Sequence, residues 1–166
     1  MRIERFFTVE GGDPYDDIEF RTTASEIRNP NGTLVFQMPD IEVPADWSQV
    51  AADILAQKYF RKAGVPARLK RVEENSVPSW LWRSQPDTAA LADLPEDERT
   101  GAESSAKALF DRMAGTWTYW GWKGGIFDSE ADAQAYLDEM RYMLARQMGA
   151  PNSPQWFNTG LHWAYG

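Results

Sequence analysis

Three apolar stripes at helical spacing, each followed by a glycine or proline stop, constrain this chain more than any other feature. The first comprises Trp47, Val50, Ala51, Ile54, Leu55 and Tyr59, behind Pro44, which opens the helix. Ala45 or Asp46 stands near its N-cap, and Gly64 with Pro66 beyond it is a stop signal. The second is Ala106, Leu109, Phe110, Met113 and Trp117, in a helix expected over residues 102–120 and broken by "GWKGG" at 121–125. The third begins at Ser129, with Asp132 three residues on, close to a capping box. It carries Ala133, Tyr136, Leu137, Met140, Leu144 and Met148, and Gly149 with Pro151 ends it. Such stripes must bury against one another or against a sheet, which predicts a three-helix body.

Strand signals lie on either side. "IEFRTTASEIR" and "TLVFQMPDIEV" flank "NPNG" at 29–32, which predicts a β-hairpin. Alternation is clearest at Ile18, Phe20 and Thr22 and at Leu34 and Phe36. The closing stretch, "PNSPQWFNTGLHWAYG", lacks a helical period and reads as a strand. Between Val65 and Gly101 runs a long connection, with one short helix near Ala89–Leu94, pinned by Trp80, Leu81 and Trp82. The fold class expected is α+β and mostly helical.

The length of 166 residues is about one domain's worth and long enough for a real core. Eight tryptophans imply an unusually aromatic core or a face to be covered. A net charge of −8 argues against a nucleic-acid surface. The densest basic stretch, "RKAGVPARLKR", reads as a solvated helix end and loop, where cations are favourable. There is no cysteine, so no thiol chemistry can come from these residues, which fits a reducing compartment. No apolar run is long enough to span a bilayer and none follows Met1 as a signal region, so a cytoplasmic location is expected.

Few residues carry a chemical signal. His162, the only histidine, has no acidic or metal-ligating neighbour in sequence and reads as a packed or partly exposed side chain. "GWKGG" lacks the hydroxyl residue and preceding strand of a phosphate loop and reads as an interhelix turn. The acids Glu73 and Glu74, and Glu96, Asp97 and Glu98, lie in polar loops without the burial that tunes a catalytic carboxylate. The third helix's stripe of methionines and aromatics reads as core rather than a cofactor wall. Ser153 stands between Pro151 and Pro154, which bias it toward an extended shape. Its hydroxyl and amide can both donate to an anionic oxygen, or form a turn without a ligand.

"NSPQWFNTGL" resembles the opening strand of the ribonucleotide reductase catalytic barrel. With "VPADWSQVAADILAQKYFRKAGVP", "EENSVPSWLWRSQPD", "AGTWTYWGWKGG" and "DEMRYMLARQMGAPNSPQWFNTGLHWAYG", the whole chain resembles the amino-terminal region of the adenosylcobalamin-dependent, class II family in its long bacterial form. The resemblance implies a ribonucleoside-diphosphate reductase, the residues leaving triphosphates open. In that family a thiyl radical, generated through adenosylcobalamin, takes a hydrogen from the ribose, and a cysteine pair supplies electrons.

The resemblance further implies a ten-stranded α/β barrel whose first strand is 151–166, after a hairpin region (1–43) and a helical region (44–150). Ser153 matches a substrate-phosphate contact. No catalytic residue is expected here: the cysteines, the catalytic acid and most cobalamin contacts would lie downstream of Gly166, leaving these residues inactive alone. Implied partners are the ribonucleotide, dNTP effectors, a thioredoxin-like reductant and further copies of the enzyme, with neither nucleic acid nor membrane. The competing reading is a non-catalytic interaction module with a tryptophan-rich face.

Overall fold

The computed structural model describes residues 1–166. Strands β1 (Phe20–Arg28) and β2 (Leu34–Pro44) form the expected antiparallel hairpin, with Phe20 opposite Pro44 and Arg28 opposite Leu34. Gly32, at φ 84°, donates its amide to Asn29 in the connecting turn (2.8 Å), a backbone angle that favours glycine. Register shifts between Thr23 and Ser25 and at Ile27 redirect the faces. Thr22, opposite Glu42, is exposed, and the inward side from there is Thr23, opposite Ile41, and the buried Ser25. Ile41 and Val43, on the returning strand, are fully buried.

Helix α1 (Gln49–Ile54) starts later than expected. Ser48, rather than Ala45 or Asp46, is the cap, and its hydroxyl accepts from the Ala51 amide at 3.1 Å. The helix widens into a π turn over Leu55–Tyr59, closed by the Phe60 amide on the Leu55 carbonyl. Ala52, Leu55, Ala56 and Phe60 face inward, so Val50 and Ile54, expected on the stripe, are exposed.

The connection that follows is held by two short antiparallel pairs, β3 (Val65–Pro66) with β6 (Thr100–Gly101) and β4 (Leu69–Arg71) with β5 (Ser84–Pro86). Helix α2 (Thr88–Ala92), capped by Asp87, lies between β5 and β6. The expected pins are in place: Leu81 is fully buried, Trp80 donates to Glu130 (2.7 Å), and Trp82 donates to the Val77 carbonyl.

Helices α3 (Ala106–Lys123) and α4 (Glu130–Ala145) are capped by Ser105 and Ser129. Ser129 accepts from the Asp132 amide, as the capping pattern required. They share a core with the hairpin and α1: Ile41, Val43, Trp47, Leu55, Phe60, Leu109, Phe110, Met113 and Leu144. The Trp47 indole also donates to the Ala145 carbonyl at the end of α4.

The amino terminus straps α4. Glu139, only 7% exposed, accepts the amides of Phe6, Phe7 and Thr8, while Asp132 accepts that of Ile3. Phe7 stacks on Tyr142, and Arg5 pairs with Asp138 at 2.7 Å.

The closing segment departs from expectation. Residues read as a barrel strand form two short helices, α5 (Ser153–Asn158) and α6 (Leu161–Tyr165). Pro154 lies in the first helical turn, where a missing N–H costs nothing. Gly160, at φ 89°, turns the chain between them. A Cβ there would lie 2.2 Å from the Arg112 carbonyl, so only glycine admits that approach. Trp156, Gly160 and Trp163 all meet α3, at Phe110, Arg112 and Gly115, yet no continuous helical period links them, because the left-handed Gly160 separates two very short helices.

The tryptophans do not form one uncovered face. Only Trp120 is strongly exposed, at 57%. Trp47, Trp80, Trp82, Trp117, Trp122 and Trp163 each donate an indole N–H, using both the ring's area and its polar edge.

Candidate functional site

Ser153 is the first residue of α5, and its side chain is exposed. Its hydroxyl lies 3.0 Å from the Tyr59 hydroxyl. Tyr59 ends the π turn, and its ring stacks on Trp156 with centroids 5.6 Å apart and planes 16° from parallel. The structure thus joins Ser153 to a residue that the sequence presented only as part of an apolar stripe.

Beneath this pair is a buried ionic node that periodicity did not reveal. Arg112 and Glu103 form an ion pair with both side chains fully buried: Nε to Oε2 at 2.9 Å and Nη2 to Oε1 at 3.1 Å. The guanidinium also donates to the carbonyls of Thr159 (2.6 Å), Trp156 (2.7 Å) and Tyr59 (3.4 Å). Glu103 accepts from the Arg61 amide and from the Tyr165 hydroxyl, each at 2.7 Å. Burial, then the Glu103 charge, pushes the Tyr165 hydroxyl far above the ordinary tyrosine value. A charge this deeply buried persists only when fully paired, and this one is. The node grips the π turn, α5 and α6 together and so sets where Ser153 is presented.

The other residues weighed from sequence are placed elsewhere. His162 is exposed on α6. Lys123 of "GWKGG" pairs with Glu74, which also accepts from the Tyr119 hydroxyl at 2.5 Å. The Lys123 bond, ahead of the Tyr119 bond, holds the Glu74 carboxyl below the usual range. Glu74 is therefore a tie between loop and helix, while Glu96, Asp97 and Glu98 form an exposed turn. Within the basic stretch, Arg61, Lys62, Arg68 and Arg71 donate to nearby carbonyls. No group of three His, Cys, Asp or Glu side chains converges to hold a metal ion. An open apolar groove of about 470 Å³ runs beside Trp117, Trp120, Ile126 and Met140. No helix is long and apolar enough to cross a membrane.

Fold and site together define an α+β scaffold that clamps one exposed hydroxyl pair at its edge. Residues 21–147 match the family described as class II vitamin B12-dependent ribonucleotide reductase. The chain is similar over its full length to vitamin B12-dependent ribonucleotide reductases of Bradyrhizobium diazoefficiens (70% identical) and Agrobacterium fabrum (66%). A Rhodopirellula baltica enzyme of the same description is 29% identical over 97% of the chain. The chain spans 13% of the length of the first two relatives and 12% of the third. It belongs to the class II vitamin B12-dependent ribonucleotide reductase family.

Proposed function

We propose that this chain is the amino-terminal part of an adenosylcobalamin-dependent reductase that converts ribonucleotides to deoxyribonucleotides, and that it supports a ten-stranded catalytic barrel. The observation that carries the reading is 70% identity, over every residue of the chain, to a protein named as such a reductase. In this reading residues 1–43 and 44–150 are the supporting hairpin and helical regions, and 151–166 lead into the barrel. The enzyme works in the cytoplasm on ribonucleoside diphosphates, responds to dNTP effectors, draws electrons from a thioredoxin-like reductant and assembles with further copies of itself.

These residues do not fit the cofactor. The groove beside Trp120 is open and apolar, and the one histidine, exposed on α6, does not line it. Adenosylcobalamin, which supplies the radical initiator when bound, is assigned to the remainder of the enzyme. The thiyl chemistry is assigned there too, since these residues include no cysteine.

What these residues contribute to the reaction is a phosphate contact at Ser153. Its exposed hydroxyl, presented on a clamped first turn, is supported as a donor to an anionic oxygen. The test uses the full-length enzyme in an adenosylcobalamin-dependent reduction assay. Ser153→Ala is expected to raise the nucleotide KM by the worth of one hydrogen bond to a charged group, roughly 1.5–3 kcal/mol. An unchanged KM would sink the Ser153 assignment, and absence of cobalamin-dependent deoxyribonucleotide would sink the whole reading.

A further inference from the structure

We propose that Tyr59 is a positioning residue: it donates its hydroxyl hydrogen to Ser153 Oγ, leaving the serine hydrogen free to point at a nucleotide phosphate. The inference rests on the reading of Ser153 as a phosphate contact. The two hydroxyl oxygens are 3.0 Å apart, and either can donate. A serine hydroxyl has one hydrogen and two lone pairs. A serine that donates to the phenol has no hydrogen left for an anion. A phosphate oxygen only accepts, so its arrival selects the arrangement in which Tyr59 donates and Ser153 passes its own hydrogen outward. The bonds then run in one sense, from phenol to serine to phosphate, and each polarises the next.

Three features hold the phenol in place. Its ring is stacked on Trp156, three residues after Ser153. The π turn adds a residue to the end of α1 and so rotates Tyr59 relative to a regular helix; such bulges recur at functional sites. Arg112 binds the carbonyls of both Tyr59 and Trp156, fixing the two backbone segments to one guanidinium. Tyr59 is half-buried and Ser153 is exposed, the order that a relay from protein to ligand needs.

The experiment is steady-state kinetics of the full-length enzyme with adenosylcobalamin, using a ribonucleoside diphosphate and the matching triphosphate in turn. The variants are Tyr59→Phe, Ser153→Ala and the double substitution. Tyr59→Phe keeps the ring and its stack and removes only the hydroxyl. It is expected to raise KM about two- to tenfold with kcat unchanged. The double variant is expected to be no worse than Ser153→Ala, because the phenol acts through the serine. A wild-type KM for Tyr59→Phe, with KM raised in Ser153→Ala, overturns the positioning role and leaves the serine contact standing. Additive effects overturn it too, since the phenol then acts independently. An unchanged KM in Ser153→Ala removes the phosphate contact itself and this role with it. Thermal unfolding of Tyr59→Phe completes the test: a lowered Tm with the same kinetic loss in both serine backgrounds marks a structural role and overturns the proposal.

Discussion

Arg112 is the side chain on which the position of the Ser153 pair most depends. It is about 1% exposed, and its guanidinium serves a carboxylate, one carbonyl of the π turn and two carbonyls at the end of α5. Replacing it by methionine keeps much of the volume but strands the Glu103 charge and those carbonyls in the interior. Breaking a buried pair in this way costs about 3–5 kcal/mol, far more than an added apolar contact returns. We therefore expect Arg112→Met to lower the unfolding free energy by about that much in a urea titration. Arg112→Lys should recover little, because an ammonium cannot reproduce the forked donor set. Wild-type stability for either variant would refute the account. The node was not legible in the sequence. Arg112 falls three residues after Leu109 and next to Met113, within the span of the apolar stripe, where a search for apolar period alone passes over a charge. Its partners were hidden too, because Glu103 and Tyr165 lie in stretches without a period and meet Arg112 only through the fold. Tyr59 was legible as a core ring, but its hydroxyl's neighbour lies 94 residues away.

Among the elements, α6 depends on a missing side chain in α3. A Cβ on Gly115 would lie 2.2 Å from the Trp163 ring. Gly115→Ala gains roughly 1 kcal/mol of helix propensity but forces an overlap that typically costs about 1–3 kcal/mol or more. The overlap wins, and the rigid indole must leave its bond to the Leu81 carbonyl. The expected result is fast amide exchange across Leu161–Tyr165 with α3 still protected; unchanged exchange in α6 would contradict it. The closing segment misled the sequence reading for a local reason. Its two helices are only six and five residues long and are split by the left-handed Gly160, so neither is long enough to show a period among the prolines and aromatics. By contrast, α3 and α4 were legible because long stripes with serine caps outweigh single ambiguous residues. Helix α1 was legible as an element, but not in its phase. A π turn rotates the inward face, and no local propensity marks that.

For the molecule as a whole, two ties between distant segments set opposite edges of its pH range. On the acid side, Glu74 joins the Val65–Gly101 connection to the end of α3 through Lys123 and Tyr119. Those bonds depress its carboxyl in the folded state. The unfolded chain then binds the proton first, so this contribution is present above the ordinary glutamate pKa of about 4.3 and is lost as pH falls through the lower folded value. On the alkaline side, burial and Glu103 raise the Tyr165 hydroxyl. The unfolded tyrosine loses its proton first, so this contribution is intact below the ordinary value of about 10 and declines as pH rises above it. The two substitutions should therefore differ on the acid limb, which only the Glu74 change reaches. Glu74→Gln should reduce the dependence of stability on pH below about 4.5 and also soften the alkaline limb somewhat, because the same carboxylate holds the Tyr119 hydroxyl and the Lys123 ammonium above their ordinary values; the loss at neutral pH should be modest because exposed pairs are screened. Tyr165→Phe should remove a hydrogen bond to a charged acceptor, roughly 1.5–3 kcal/mol at pH 7, and flatten the limb above about 10. Urea titrations of both variants across the pH range read the two slopes directly. An acid slope unaltered by Glu74→Gln, or an alkaline slope unaltered by Tyr165→Phe, would show that the corresponding tie does not couple protonation to folding.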